Sequence, residues 1–276
     1  MDEVYVLART VLLDALEALG PHRNAVVVVG AQAVYQWTGS EDLAVPPHTT
    51  DADLMLDPAL LAETPPLERM LRDAGFATAR SGAVGVWQRR GTYASQVDRT
   101  VDVDLLVPRS VSPGQGRRAA RLAGHEARAA RIVRGLEGAL VDHAPRLISS
   151  LEPGIQRTLS VRVAGPAALL VAKLHKISER QGSTRAADKD ALDVYRLLRA
   201  VDPADVADRV ARLLADERSR SATLDGIALL QPLFGRGGEG AEMAARALAG
   251  LVDPDEVTLG CAFLVDELVE AIRSKD

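Results

Sequence analysis

The sequence predicts an α+β fold, with a mixed sheet and helices over residues 1–164 followed by an all-helical domain over residues 165–276. Two observations carry this expectation. Short runs that read as strands recur as far as Val163, whereas from Gly165-Pro166 onward the apolar residues recur only at helical spacing. Runs of strands followed by runs of helices are how an α+β domain with a helical companion reads, and 276 residues are enough to give each part a core.

Residues 3–19 (EVYVLARTVLLDALEAL) place apolar side chains at helical spacing until Gly20-Pro21 stops them. Ala25–Val29 is a continuous apolar run, as a buried strand reads, and it ends at Gly30. Ala31–Trp37 resumes helical spacing. Gly30 therefore marks a strand-to-helix turn, where a missing side chain lets the backbone pass close to another group. The segment Thr38–His48 is polar and proline-bearing, hence a loop. Asp51–Leu56 alternates, with Asp51, Asp53 and Met55 on one face and Ala52, Leu54 and Leu56 on the other. A helix is expected at Leu67–Ala74, then strands at Phe76–Arg80, Val84–Gln88 and Thr100–Val107, the last with Asp102 and Asp104 on one face. Ser112-Pro-Gly-Gln-Gly116 reads as a loop, and strands are expected at Ala129–Val133 and Leu159–Val163. Helices follow at 166–180, 187–199, 203–215, 221–233, 239–250 and 254–273. The last has Asp253 at its N-cap, Pro254 in its first turn and Glu256 three residues after the cap.

The bulk properties exclude several classes. A content of 47% hydrophobic and 26% charged residues is ordinary for a globular protein. There is no uninterrupted apolar run of about 18 residues, so no membrane partner is expected. The acidic opening MDEVYVLART lacks the basic start of a secretory signal, which points to the cytoplasm. Cys261 is the only cysteine, which excludes a disulfide framework and a thiolate metal cluster. The five histidines are scattered without ligand spacing, and no Ser, Cys or His arrangement suggests covalent catalysis.

A net charge of −5 argues against a protein that coats nucleic acid along its whole surface. Between Arg109 and Arg134, however, seven arginines occur with Glu126 as the only acid. Arg117, Arg118 and Arg121 are candidates for binding the phosphates of an RNA acceptor. A solvated Arg-rich loop is the bland alternative, and the scarcity of aromatic residues there leaves base stacking without support.

An isolated Asp-x-Asp is more often a solvated strand face than a site. On a strand, though, the two carboxylates point the same way, and their repulsion is relieved by a shared cation. Magnesium commonly takes one or two carboxylates plus substrate phosphates, and phosphoryl transfer needs little beyond positioning and charge neutralisation. Asp51 and Asp53 gain weight from the strand–Gly–helix turn before them and the second pair, Asp102 and Asp104, some fifty residues later.

VVVVGAQAVYQW followed by TTDADLML resembles the DNA polymerase β-type nucleotidyltransferase superfamily, and within it the AbiEii/MenT group of toxin-like nucleotidyltransferases. Thr49, Asp51 and Asp53 match the Thr-x-Asp-x-Asp form of that group's second motif. The segment AALLVAKLHKISERQGSTRAADKDALDVYRLL is similar to the group's later helices, placing Lys173 on its lysine, Arg180 on its arginine, and Asp190 and Asp193 on its last aspartate pair. The likeness spans residues 25–200. It departs from the pattern at Ala31, which stands where a second glycine or a serine is usual, and in the longer spacing from Gly30 to Asp51, which implies an inserted loop through Pro46-Pro47.

The resemblance implies a polymerase β-like domain whose active-site cleft the helical domain completes. Gly30, Ala31, Gln32 and Thr50 would meet the nucleotide, with Gln32 offering its amide. Asp51 and Asp53 would hold one or two magnesium ions, with manganese as a substitute. Asp104 or Asp102 would be the third carboxylate; Asp104 is favoured because Leu105-Leu106 continues the buried strand behind it. Lys173 would reach the triphosphate, with Arg180 and Asp190 beside it. The implied reaction moves a nucleoside monophosphate from a nucleoside triphosphate to a hydroxyl. The acceptor could be the 3′ end of a tRNA, with an antitoxin as protein partner, or a small molecule such as an aminoglycoside, or a protein. A degenerate fold that only binds nucleotide or a partner is the reading of another class.

Overall fold

The computed structural model describes residues 2–39, 48–91, 99–112, 118–180 and 186–275. The loop through Pro46-Pro47, the Pro113–Gly116 turn and Arg117 lie outside the described residues. The chain divides into two compact units: residues 1–36, 46–133 and 144–163 form the first, and residues 37–45, 134–143 and 164–276 the second.

The first unit is a mixed sheet with helices. Its elements are α1 (Glu3–Ala18), β1 (Val26–Val29), α2 (Gly30–Thr38), β2 (Asp51–Leu56), α3 (Leu67–Asp73), β3 (Ala77–Thr78), β4 (Val86–Gly91), β5 (Arg99–Pro108), β6 (Arg131–Val133), β7 (His143–Ser149) and β8 (Thr158–Ala164). The strand order is β3-β4-β5-β2-β1-β8-β7, with β6 pairing on β5. β2 runs antiparallel to β1 and parallel to β5, while β6 and β8 are parallel to β5 and β1. The fold class is thus α+β, as the strand and helix patterns imply.

α1 starts where the Asp2 carboxylate accepts from Val4 N, and its apolar face is fully buried. The glycine that ends β4 shows which side of the sheet it covers. A Cβ on Gly91 would fall 2.5 Å from Leu7 Cδ1 of α1. The register Gly91↔Arg99 and Trp87↔Val103, with β2 aligned on β5, puts Ala52 and Leu54 on that same α1-covered face. Alternation sends Asp51, Asp53, Asp102 and Asp104 to the other face.

Several strands differ from the sequence reading. The run at Phe76–Arg80 shrinks to β3, the next strand shifts to Val86–Gly91, and β6 begins only at Arg131. β7 has no counterpart in the sequence reading. It is the last strand in the order, carries Pro145, and buries only Ile148 fully, so it shows neither alternation nor a continuous apolar run.

The second unit is helical: α4 (Pro166–Glu179), α5 (Ala186–Ala200), α6 (Pro203–Ala215), α7 (Glu217–Ala228), α8 (Leu230–Phe234), α9 (Glu239–Ala247) and α10 (Pro254–Arg273). The single helix expected at 221–233 is two. α7 begins early because the Asp216 carboxylate caps Arg218 N, and the break falls at Leu229. Asp142 closes the N-terminus of α4. Its Oδ2 accepts from Ala168 N at 3.2 Å, its Oδ1 from Arg209 at 2.8 Å, and a Cβ on Gly165 would collide with it at 2.1 Å. Asp253 accepts from Asp255 N to cap α10. No helix among the described residues is long and apolar enough to cross a membrane.

Candidate active site

The parallel pairing of β2 with β5 sets Asp51 opposite Asp102 and Asp53 opposite Asp104. Four carboxylates, two from each strand, therefore stand side by side on one face. Val29 at the end of β1 is opposite Asp53, so the β1–α2 turn abuts the same place. Gly30 opens α2 with φ +70°, a conformation that side-chain-bearing residues rarely adopt. A Cβ added to it would lie 2.0 Å from Asp53 Oδ2. What passes close to the glycine is the Asp53 carboxylate itself.

Asp51 is oriented from its own strand entrance, where the buried Thr49 hydroxyl donates to its Oδ1 at 2.6 Å. Thr50 is exposed, and Ala31 is buried in the first turn of α2. Gln32 is 2% exposed and fully engaged. Its Nε2 donates to Ala8 O at 3.2 Å and Asp51 O at 3.1 Å, and its Oε1 accepts from Arg9 Nε at 2.8 Å. Both amide protons are spent, which leaves none for a phosphate. Gln32 instead ties α1 and α2 to the first residue of β2. Arg9 is buried behind it, donating also to Ser149 O and the Tyr5 hydroxyl, and burial pushes its pKa down.

The β5 carboxylates have organic partners. Gln88 Nε2 donates to Asp102 Oδ1 at 2.8 Å, and Arg131 forms an ion pair with Asp104 Oδ2. Burial pushes the Asp104 carboxyl up; Arg131 opposes this, while Asp51 and Asp102 nearby add to it, and the net direction is upward. Sequence reasoning missed Gln88 and Arg9, and placed Arg131 only among the basic residues. Each contact depends on a register or a helix packing that local pattern does not encode.

Among the described residues no three His, Cys, Asp or Glu side chains form a ready metal-binding group. The donor set fits the sparser mode. Asp51 and Asp53 present hard oxygens from one strand face beside Gly30, which suits an ion that takes two carboxylates and completes its shell from substrate and water.

The second unit gathers another group of the expected residues. Lys173 of α4 is 4% exposed, and its Nζ donates to Asp190 Oδ1 and Asp193 Oδ2 of α5, each at 2.6 Å. Lys176 Nζ stands 3.1 Å from Asp190 Oδ1, and Arg180 Nη1 stands 3.3 Å from Asp190 Oδ2. Burial alone would raise the Asp190 pKa, but Lys173 and Lys176 outweigh it and hold the carboxyl at about 2. Burial alone would lower the Lys173 pKa, but Asp193 and Asp190 move it up. The Lys173 charge is thus neutralised inside the helical unit, while Lys176 and Arg180 keep 41% of their side-chain surface exposed.

Of the arginine-rich stretch, Arg118 and Arg121 are exposed. Arg128 donates to Gly82 O, and Arg131 and Arg134 are drawn into ion pairs with Asp104 and Asp225.

No protein-family model and no curated protein matches the chain. Among solved structures it is similar to an antigenic nucleotidyltransferase-like protein from Paracoccidioides brasiliensis, at 15% sequence identity and a TM-score of 0.42, covering 82% of this chain and 93% of that one. At that identity and score the likeness assigns neither an activity nor a ligand to this chain.

Proposed function

We propose that the protein transfers a nucleoside monophosphate from a nucleoside triphosphate to a hydroxyl acceptor. The observation that carries this reading is Gly30 pressed against Asp53 at the start of α2, beside the aligned pairs on β2 and β5. A helix N-terminus next to paired carboxylates provides amides for phosphate and oxygens for a cation in one place. Asp51 and Asp53 would hold magnesium, with manganese as a substitute; the ion's chemistry is to neutralise charge on the reacting phosphate. Thr49 keeps Asp51 aimed at that duty, and the exposed Thr50 is placed to meet the nucleotide. The acceptor oxygen bonds to the α-phosphorus, the bond from that phosphorus to the β-phosphate bridging oxygen breaks, and pyrophosphate leaves. Asp104, with Asp102 beside it, takes the proton of the hydroxyl; an upward-shifted carboxyl is the better base. Lys173 fixes Asp190 in the helical unit, and Lys176 and Arg180 are that cluster's half-exposed cations.

The finer reading is that the acceptor is RNA, specifically the 3′ end of a tRNA, with Arg118 and Arg121 contacting phosphate. It comes from the resemblance in sequence and from the exposure of those two arginines. It extends to a toxin restrained by a separate antitoxin in a bacterial cytoplasm.

The test incubates the protein with labelled nucleoside triphosphates, magnesium and total RNA, an aminoglycoside or a protein extract, beside Asp53→Ala. Label in the tRNA fraction from wild type alone supports the reading. Label in the drug or in protein moves the acceptor. Magnesium-dependent nucleotide binding without transfer to any acceptor would make this a binding module instead.

A further inference from the structure

α10 packs into the helical unit along one stripe, Val257, Cys261, Val265 and Leu268, all buried. A turn of about 3.6 residues puts Leu259 and Phe263, one turn apart, near the middle of the opposite face. They are 59% and 62% exposed. The chain has three phenylalanines and buries the other two, Phe76 and Phe234. Leu259 and Phe263 lie outside the core, so folding does not account for either. Charge is arranged around them. Asp255 and Asp266 flank the pair on one side and Glu256 and Glu267 on the other, and Glu270 continues the row beyond Phe263; all of these acids are exposed. Asp266 also accepts from Gln231 Nε2 at 2.9 Å. The only basic residue of α10 is Arg273, in its last turn. On the flank toward α9, the buried Ala241 and Ala245 line a shallow open depression together with Asp255 and Thr258.

An apolar pair set among carboxylates selects its cover by charge. A second copy presenting the same face would set carboxylates against carboxylates, and nucleic acid or an anionic membrane would be repelled. The arginine-rich stretch of another copy would answer the charge through Arg118 and Arg121 but not the apolar pair, since Ala120 and Leu122 beside them are buried. We propose that the outer face of α10 docks a cationic amphipathic helix of another protein. Apolar residues of that helix at i and i+4 cover Leu259 and Phe263, and its lysines or arginines meet the flanking carboxylates. The small side chains of Ala241 and Ala245 leave room for it to lie close beside α10. The inference is independent of the nucleotidyl-transfer reading, and its measurement needs no turnover.

The probe is a synthetic, fluorescein-labelled helical peptide with leucines along one face flanked by lysines. Its controls are a scrambled peptide, with the same charge but no apolar face, and the same peptide with glutamate for every lysine. Fluorescence anisotropy is followed as the full-length protein is added at physiological salt. Wild type should bind the probe, and bind both control peptides about tenfold more weakly or worse. Leu259→Ser with Phe263→Ser should weaken probe binding about tenfold, as should Glu256→Lys with Glu267→Lys. Asp73→Lys with Glu217→Lys makes the same charge change at exposed sites off α10 and should stay within about threefold of wild type. No binding to wild type would overturn the proposal. Equal binding of the scrambled peptide, or equal weakening by the Asp73 and Glu217 changes, would reduce the effect to net charge and end it. Unchanged binding to both α10 variants would put the probe elsewhere, with the same consequence. Sedimentation of wild type as a dimer that Phe263→Ser returns to monomer would make a second copy the occupant instead. Should the Leu259 and Phe263 double variant lose its native circular dichroism spectrum, Phe263→Ala decides by the same criterion.

Discussion

At the scale of single residues, Gly30 and Asp53 define each other. The glycine adopts φ +70° and leaves no room for a Cβ against Asp53 Oδ2. Replacing it with alanine forces a left-handed backbone on an L-residue, which costs about 1–3 kcal/mol. The substitution also displaces the carboxylate, and a shift of about 1 Å at a reacting group costs on the order of 10²-fold in rate. Gly30→Ala should therefore lower stability by that amount in urea unfolding and cut label transfer on the order of 10²-fold. Wild-type activity in a folded Gly30→Ala protein would mean that Asp53 is not the group held there. Gly30 and the i, i+2 aspartates were legible because each leaves a local mark: a glycine between strand and helix, and two acids on one strand face. The partners of the β5 aspartates left none. Gln88 and Arg131 lie 14 and 27 residues from the carboxylates they bond, and only the strand register brings them together.

At the scale of elements, helices were read more accurately than strands. α6 and α10 coincide with their sequence ranges because proline at the first turn and an aspartate cap fix each start. The short strands β3 and β6 and the edge strand β7 depend on partners elsewhere in the chain, so periodicity under-determines them. The start of α4 is a similar case. Gly165-Pro166 announces the helix, but the residue that caps it, Asp142, lies 26 positions before the Ala168 amide it accepts from. Asp142 also anchors Arg209, whose guanidinium lies 5.1 Å from the centre of the Trp37 ring. Asp142→Ala would leave a buried helix terminus without its acceptor and take one of the two carboxylates that Arg209 bonds, Asp205 remaining, a loss of roughly 1–3 kcal/mol. Urea unfolding monitored by circular dichroism should register it; a change below about 0.5 kcal/mol would show that water replaces the carboxylate without penalty.

At the scale of the whole molecule, the two units place their charges differently, and pH separates them. Asp190 is held at about 2 against an ordinary 3.8, because Lys173 and Lys176 outweigh the cost of burial. The unfolded chain therefore binds that proton first as pH falls. The stability Asp190 contributes is complete above its unfolded pKa and is lost as pH drops through 3.8 toward about 2, roughly 2 kcal/mol in all. Asp104 has the opposite sign: burial raises it, so its contribution is greatest in acid and declines as pH rises through its titration. The acid limb of stability should belong to the helical cluster. Between pH 7 and pH 2.5, wild type should lose roughly 1–2 kcal/mol more than Asp190→Asn in urea unfolding; equal losses would contradict the pairing. The α+β class and the meeting of Lys173, Arg180 and Asp190 were expected from sequence order, since those residues lie on or beside two successive helices; the pairing of Asp193 with Lys173 was not. The passage of residues 134–143 into the helical unit was not, because nothing in their composition marks them.

We propose that the Asp51–Asp53 face moves a nucleoside monophosphate. The most direct test follows the fate of the label when RNA and magnesium are supplied with ATP, CTP, GTP and UTP, each labelled in turn at the α- or the γ-phosphate. Wild type should attach the α-label to RNA and release the γ-label as pyrophosphate, with Asp51→Asn doing neither. Transfer of the γ-label to any acceptor, or equal transfer of the α-label by wild type and Asp51→Asn, would contradict it.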